Sequence, residues 1–341
     1  METMLTFDEC IENTSTKRHL ILGNGFSVDL FPDIFNYRKL AEKITDDNIK
    51  AIFEEFNTSD FEFVVFKLTE SLRVLNYYDS EKEIYNNVKS DIQKLKEILI
   101  QVITEAHPKN PDTITENQYK SCYDFLKHFE KGRKYTFNYD LLLYWVYMHY
   151  LESSSEHQLK IDDGFRTDLN NDSMVTWEIG REHRQNLYYL HGAMHVFKDV
   201  NAIIQKYTWK SGGKTIGEQV KESIENNQFP VFISEGTTEH KLKRIKENGY
   251  LSRSFSSLKS ITGDLFIFGH SIRDEDDHVF NIINSNTGLK RIYISLYGDI
   301  NSDFNQKIVL KINNWREDYK SKGREYHFFD SVSANVWRKY D

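Results

Sequence analysis

Short apolar runs rich in β-branched and aromatic residues recur along the chain, and each is bounded by Gly, Asp, Asn or Ser. Seven such runs are RHLILG, RKYTFNYD, NLYYLHG, FPVFISEG, DLFIFGHS, RIYISLYG and REYHFFD. Runs of this kind are typical of strands that are buried in a sheet. Because helix-like segments separate several of them, the pattern predicts an α/β fold with a Rossmann-like, mostly parallel sheet.

A long segment of helical character separates the first predicted strand from the second. Within it, FEFVVFKLTESLRVL has apolar residues at helical spacing, and residues 80–107 are charged and amphipathic, with Pro108 near their end. We therefore expect residues 38–132 to form a large helical insertion. Residues 1–37 and 133–341 would together form the Rossmann-like domain that carries it.

Two further segments have the character of connections between elements. Residues 152–184 are polar and weakly periodic, which predicts a surface loop or small excursion. Residues 209–220, WKSGGKTIGEQV, are Gly-rich. They could form a mobile lid, but an ordinary surface connection is the favoured interpretation.

Composition and charge exclude several classes of protein. The chain carries 44 basic and 52 acidic residues, and its net charge of -8 argues against broad attraction to nucleic acid or anionic membranes. The two cysteines, Cys10 and Cys122, build neither a disulfide framework nor a four-thiolate zinc site. No apolar run approaches the roughly 20 residues of a membrane helix, and no signal peptide is evident. These features predict a soluble cytoplasmic protein.

A Gly-Asn-Gly turn at residues 23–25 follows the first predicted strand, in the stretch RHLILGNGFSVDL. Two glycines one residue apart let a backbone approach a phosphate, and the N-terminus of a following helix offers N–H groups to the anion. The third glycine of the dinucleotide fingerprint is missing. A strand-to-helix turn without a ligand is therefore an equally good interpretation.

The stretch YTFNYD places Asn138 at the carboxyl edge of the predicted sheet, where open α/β folds bind ligands. The amide of Asn138 could hold a ribose hydroxyl or a water. Alternatively, Asn138 or Asp140 caps the helix that follows.

His191 comes directly after the apolar run of YYLHGAMH, and Gly192 beside it leaves space for a sugar. Histidine is the side chain best suited to accept a proton near neutral pH. The alternative is a buried, hydrogen-bonded histidine without a chemical role. His195 suggests a metal pair with His191, but no carboxylate at zincin spacing accompanies it, so we expect no metal.

The stretch DLFIFGHSIRDEDDHVF again ends a strand in a small residue and a hydroxyl. Ser271 could donate to a phosphate or ribose oxygen. Asp276 or Asp277 could cap a helix that begins near His278. For the acidic residues taken alone, a solvated loop is the favoured interpretation.

In this order, the four motifs resemble those of the sirtuin-like family, in its bacterial NAD-hydrolase branch. The resemblance covers residues 19–298 and implies an NAD pocket with Asn138 and His191 as the catalytic pair. The loop FPDIFNY, residues 31–37, is similar to the flexible loop that covers nicotinamide. The implied NAD contacts are Gly23, Asn24, Gly25, Phe26, Ser27, Asp33, Phe35, Asp140, Gly269, Ser271 and Asp276.

One departure from the family pattern argues against protein deacylation as the activity. Protein-deacylating sirtuins carry a four-cysteine zinc module, which two cysteines cannot build. The resemblance therefore implies an NAD hydrolase that releases nicotinamide and ADP-ribose, with NAD as substrate and no metal. It also implies a regulated effector of anti-phage defence, a homo-oligomer, and a partner such as a motor-type ATPase encoded alongside. A non-catalytic NAD or ADP-ribose sensor and a protein deacylase or ADP-ribosyl transferase are the alternatives.

Overall fold

Strands and helices alternate along most of the chain, which confirms the predicted α/β class. The computed structural model describes residues 3–14, 17–33, 46–57, 61–79, 81–105, 107–108, 110–151, 159–168, 171–199, 201–207, 215–226, 228–233, 238–318 and 323–340. The strands are β1 (Met4–Leu5), β2 (Arg18–Leu22), β3 (Lys134–Thr136), β4 (Arg166–Asp168), β5 (Asn171–Trp177), β6 (Leu187–Tyr189), β7 (Gly192–Lys198), β8 (Ile204–Tyr207), β9 (Phe229–Phe232), β10 (Gly263–Phe268), β11 (Leu289–Leu296) and β12 (Glu325–Asp330). The helices are α1 (Phe7–Glu12), α2 (Gly25–Val28), α3 (Asp47–Glu55), α4 (Phe61–Tyr78), α5 (Glu83–Glu105), α6 (Glu116–Lys127), α7 (Leu142–Leu151), α8 (Ile216–Glu225), α9 (Thr238–Glu247), α10 (Gly249–Ser257), α11 (Asp277–Ser285) and α12 (Asp303–Asp318).

The main sheet has seven parallel strands in the order β1-β12-β11-β10-β2-β3-β6. Six of the seven apolar runs form strands in this sheet. The chain runs outward from β2 to β3 and β6 on one side, and then returns to β10 on the other. In open α/β sheets, such a reversal of strand order leaves a crevice at the carboxyl ends of the strands.

Both faces of the main sheet are buried, which explains why most of its strands are rich in consecutive apolar residues. In β2, Leu20 and Leu22 pack on one side with α6, whereas Ile21 packs on the other side with α11 and α12. Burying an aliphatic side chain of this size contributes about 1.5–3 kcal/mol to the free energy of unfolding.

The long segment between β2 and β3 is helical, as predicted, and contains α3 to α6. Helix α6 packs on the main sheet, because the ring of Phe125 lies 5.4 Å from that of Phe268 in β10. Helices α4 and α5 pack against each other. None of the helices within the described ranges has the combination of length and apolar character needed to cross a membrane.

A second sheet of five antiparallel strands, in the order β4-β5-β8-β7-β9, was not expected. For residues 152–184, the surface-loop alternative is wrong where β4 and β5 form; residues 152–158 and 169–170 lie outside the described part. The run FPVFISEG forms β9 of this sheet rather than a strand of the main one. The candidate lid, residues 209–220, is described only from residue 215 onward. Its described part contains the start of α8.

A buried ion pair joins the second sheet to the helix layer of the main one. Lys206 of β8 is buried, and its Nζ pairs with the carboxylate of Asp163 and donates to Tyr147 Oη at 3.0 Å. The same Nζ lies 4.5 Å from the ring centre of Tyr144 in α7. Burial alone would raise the pKa of Asp163, but the charge and hydrogen bond of Lys206 bring it below its ordinary value.

Buried histidines make the stability of the fold sensitive to acid. Burial lowers the pKa of His107 to about 4 and those of His191 and His195 to about 3, against about 6.5 in an unfolded chain. Below pH 6.5 the unfolded chain therefore binds protons that the folded chain does not. We expect the free energy of unfolding to fall with pH towards about 4, by up to about 1.4 kcal/mol per pH unit for each histidine.

Urea unfolding between about pH 7.5 and pH 5 measures this dependence. The variant His195→Phe should show a shallower decrease than the wild type, since it removes one buried imidazole. A free energy of unfolding that stays constant over this range would contradict the neutral, buried state of these rings.

Candidate functional site

A cavity of about 710 Å³ opens at the carboxyl edge of the main sheet. It lies at the reversal of strand order, and residues from the ends of six parallel strands line it. These are Asn24 and Gly25 after β2, Phe137 and Asn138 after β3, His191 after β6, Gly269, His270 and Ser271 after β10, Leu296 and Tyr297 at the end of β11, and Ser331 after β12. The four motifs singled out in the sequence therefore meet at one place.

The glycine turn is packed directly against the turn that follows β10. The N–H of Gly25 donates to the carbonyl of Gly269 at 2.8 Å, and a Cβ on Gly25 would lie 2.6 Å from the Cα of Gly269. Gly269 itself has a φ of +68°, which glycine adopts without strain. The glycines thus let two backbone turns touch, and both turns line the cavity.

The glycine turn was expected to offer free backbone N–H groups to a phosphate, and this expectation is wrong for three of them. The N–H of Gly23 donates to Phe268 O, that of Gly25 to Gly269 O and that of Phe26 to Gly23 O. The helix that follows the turn, α2, is only four residues long. These three N–H groups are engaged within the protein, so phosphate contacts at this turn would have to come from elsewhere.

Four of the implied contact residues, Gly23, Phe26, Ser27 and Asp140, do not line the cavity. Ser27 is fully buried; its Oγ donates to Asp140 Oδ2 at 2.5 Å and accepts from Asn138 Nδ2 at 2.8 Å. Asp140 also accepts the N–H of Leu142 at the start of α7. Phe26 packs its ring 4.9 Å from that of Trp337, whose indole N–H donates to the carbonyl of Phe26.

The two roles that the sequence left open for this motif fall to two different residues. Asp140 holds the start of α7, whereas Asn138 lines the cavity with only 6% of its surface exposed. Ser27 binds Nδ2 of Asn138, which leaves the carbonyl oxygen of the amide as an acceptor. Ser27 and Asp140 therefore fix the orientation of Asn138.

The loop FPDIFNY is described only as far as Asp33. Pro32 lines the cavity, whereas Asp33 beside it is exposed and is not part of the lining. Phe35 lies outside the described residues.

His191 lines the cavity and is at the same time buried and hydrogen-bonded. Its Nε2 lies 3.1 Å from Nε2 of His278, in the first turn of α11. Because burial lowers the pKa of His191 to about 3, the imidazole is neutral near pH 7 and one of its two nitrogens carries no proton. His195 is packed against the rings of Tyr144 and Tyr189 and does not line the cavity, so it forms no pair with His191.

Asp276 lies in the cavity wall and does not cap a helix through its side chain. It occupies the N-cap position of α11, but its carboxylate accepts from Lys241 Nζ at 2.9 Å and lies 3.4 Å from His270 Nε2. Burial alone would raise the pKa of Asp276; the hydrogen bond of His270 and the nearby positive charge hold it well below its ordinary value. Asp276 therefore occupies the predicted cap position without capping through its carboxylate, and the interpretation as a solvated loop is wrong for this residue.

Histidine and carboxylate ligands of the kind that hold metals are close together here. The ligand atoms of His191, Asp276 and His278 all lie within 4.8 Å of one another. However, the oxygen of Asp276 nearest to His191 is the one that Lys241 binds. An ammonium group at that oxygen repels a divalent cation, so the arrangement favours hydrogen bonding over metal binding.

The backbone after Ser271 has an unusual conformation. Ile272 has a φ of +50°, a region that β-branched residues rarely adopt, and its N–H donates to His270 Nδ1 at 2.8 Å. Arg273 follows, lines the cavity and is exposed. Its guanidinium takes no part in any hydrogen bond or ion pair found within the described ranges, and is therefore free to bind an anion.

The sequence did not point to His278, His270, Lys241 or Arg273 as members of the site. His270 and Arg273 could have been found from the sequence, because they lie close to Ser271 in the same motif. Lys241 lies in an amphipathic, charged helix, α9, and nothing in its local sequence distinguishes it from the solvated lysines nearby.

A family model described as a domain of unknown function, DUF4917, matches residues 20–337. The match contains the carboxyl ends of all the strands that line the cavity. A comparison with curated proteins finds no match.

Proposed function

The chain belongs to the DUF4917 family of domains of unknown function, and we propose that it is an NAD hydrolase. The observation that carries the proposal is the meeting of Asn138 and His191 in one cavity, at the carboxyl edge of a parallel sheet. An amide acceptor and a neutral imidazole suffice for the cleavage of NAD, because nicotinamide is already a cationic leaving group.

The size of the cavity and the arginine side chains in its wall support a dinucleotide ligand. Its volume of about 710 Å³ is in the range of cofactor sites. The free guanidinium of Arg273 lies in the wall of the cavity. Arg338, which is paired with Asp29, also lines the cavity. Arg273 can bind a diphosphate in place of the backbone N–H groups that the glycine turn does not offer.

The proposed chemistry uses few groups. The bond between C1′ of the ribose and the nicotinamide nitrogen breaks, and its electron pair leaves with nicotinamide. Water adds to C1′ of the oxocarbenium-like ribose. Asn138 accepts a hydrogen bond from a ribose hydroxyl or from that water, and His191 takes the proton that the water loses. Ser27 and Asp140 hold Asn138 in the orientation that this requires.

The first test is to incubate the purified chain with NAD and to measure nicotinamide and ADP-ribose. We expect equal amounts of both products from the wild type and at least 100-fold less from Asn138→Ala, which cannot orient water or a ribose hydroxyl. Ser27→Ala should fall between the two, because Asn138 remains but loses its hydrogen bond. Tight binding of ADP-ribose without any nicotinamide release would instead favour the sensor.

We further propose that the activity is restrained in the cell, since a free NAD hydrolase would consume a coenzyme that every cell needs. The resemblance supports regulation by homo-oligomer assembly or by a partner protein such as a motor-type ATPase, in an anti-phage defence system. Measuring nicotinamide release at several protein concentrations and across size-exclusion fractions distinguishes these controls. Full activity of a dilute monomer would exclude regulation by assembly.

A further inference from the structure

Two buried histidines face each other in the wall of the cavity. The Nε2 atoms of His191 and His278 are 3.1 Å apart, and their rings are nearly parallel, at 13°. The two residues come from different parts of the fold, the end of β6 and the first turn of α11. The contact is therefore made by the packing of α11 over the end of the sheet.

Both imidazoles are neutral near pH 7, since burial lowers the pKa of His191 to about 3 and that of His278 to about 4. A hydrogen bond between two neutral imidazoles requires a proton on one nitrogen and a lone pair on the other. One histidine must therefore donate from Nε2 and the other accept at Nε2.

The surrounding groups decide which histidine donates. Oδ1 of Asp276 lies 3.9 Å from Nε2 of His191, and a carboxylate favours an N–H on the nitrogen nearest to it. Lys241 donates to the same oxygen at 2.9 Å, and Oδ2 of Asp276 lies 3.4 Å from Nε2 of His270. His270 accepts the N–H of Ile272 at Nδ1, so its own proton is on Nε2, directed at Asp276.

We propose that His278 is a positioning residue for His191: it accepts a hydrogen bond from Nε2–H of His191 and thereby keeps Nδ1 of His191 unprotonated as the proton acceptor. This inference rests on the proposed NAD hydrolase activity and names a further residue for it. When water adds to the ribose, its proton goes to Nδ1 of His191. The imidazolium that forms keeps its Nε2–H on His278 and lies beside the negative charge of Asp276.

Two variants of His278 distinguish a residue that orients His191 through a hydrogen bond from one that only packs against it. His278→Phe keeps a ring of similar shape but removes the acceptor, whereas His278→Gln can present an amide oxygen near the former Nε2. We expect His278→Phe to lower kcat for nicotinamide release by about 10- to 100-fold with KM nearly unchanged, as for the loss of one buried hydrogen bond. His278→Gln should retain most of the activity.

The tautomer of His191 provides a readout that does not depend on turnover. Nitrogen-15 NMR of the full chain labelled at histidine distinguishes protonated from unprotonated ring nitrogens, and His191→Asn assigns the signals. In the wild type we expect a proton on Nε2 and none on Nδ1. His278→Phe should shift the population towards the Nδ1–H tautomer, and His278→Gln should largely restore the wild-type state.

Each result is decisive. A proton on Nδ1 of His191 in the wild type, or an unchanged tautomer and kcat in a folded His278→Phe, would overturn the inference. Stoichiometric binding of added Zn²⁺ that perturbs both Nε2 atoms would also overturn it, in favour of a metal site. If the wild type releases no nicotinamide but shows the expected tautomers, the proposed function fails and the hydrogen bond between the two histidines stands.

Discussion

His191→Ala is expected to lower kcat for nicotinamide release from NAD by about 10²–10⁴-fold, the usual contribution of a positioned acid–base group. The alanine leaves no nitrogen to take the proton from the attacking water. The cavity itself remains, because the turns that form it are held by backbone contacts at Gly25 and Gly269. Calorimetry with ADP-ribose should therefore give an affinity close to that of the wild type.

The matched control for this variant is His195→Phe. His195 is also buried, but it packs between two tyrosine rings and does not line the cavity. We expect it to change nicotinamide release by no more than a few-fold. Turnover of His191→Ala within a few-fold of the wild type would remove His191 from the mechanism.

Lys206→Met is expected to lower the free energy of unfolding by about 3–5 kcal/mol, the typical cost of removing one partner of a buried ion pair. Methionine matches the length of the lysine chain but leaves the Asp163 carboxylate buried without its cation. The change also removes the contact of the ammonium with the ring of Tyr144. Urea unfolding of the two proteins near pH 7 measures the difference.

Two further variants test the cause of this loss. Lys206→Met combined with Asp163→Asn should recover part of the stability, since no uncompensated charge is then buried. Lys243→Met removes an exposed lysine that lies 4.0 Å from Glu247, and it should have little effect. A Lys206→Met protein as stable as the wild type would show that the pair does not hold the second sheet in place.

The main sheet could be predicted because its strands are buried on both faces. Six of the seven strands, such as β2 with Leu20 to Leu22, carry an apolar run that cannot be mistaken for a solvated segment, whereas β1 (Met4–Leu5) is too short to give such a signal. In the second sheet, only β9 comes from one of the seven apolar runs. Strands such as β5, NDSMVTW, and β8, IQKY, mix polar and apolar residues, and these two strands pair with each other although β6 and β7 lie between them in the sequence.

The candidate site was predictable only where a motif follows a strand. Asn138 and His191 each come directly after an apolar run, and parallel strands bring their carboxyl ends to one edge. His278 and Asp276 belong to an acidic stretch that resembles a solvated loop. The burial of His278 and the partial burial of Asp276 arise from tertiary packing, in which Lys241 of α9 pairs with Asp276. The sequence around these residues does not indicate that contact.

The contact between Trp337 and Phe26 also constrains when the site can exist. The indole of Trp337 donates to the carbonyl of Phe26 across 311 positions of the chain, and β2 pairs with β10 only after residue 264 has been added. At about 5–20 residues per second, a ribosome needs roughly 15–60 s to make the residues between the two partners. During that time, the nascent chain has the glycine turn but not the wall that completes the cavity. A chain that ends before β10 would lack the site. For the proposed NAD hydrolase, this means that neither nascent chains nor such truncated products would consume the NAD of the cell that makes them.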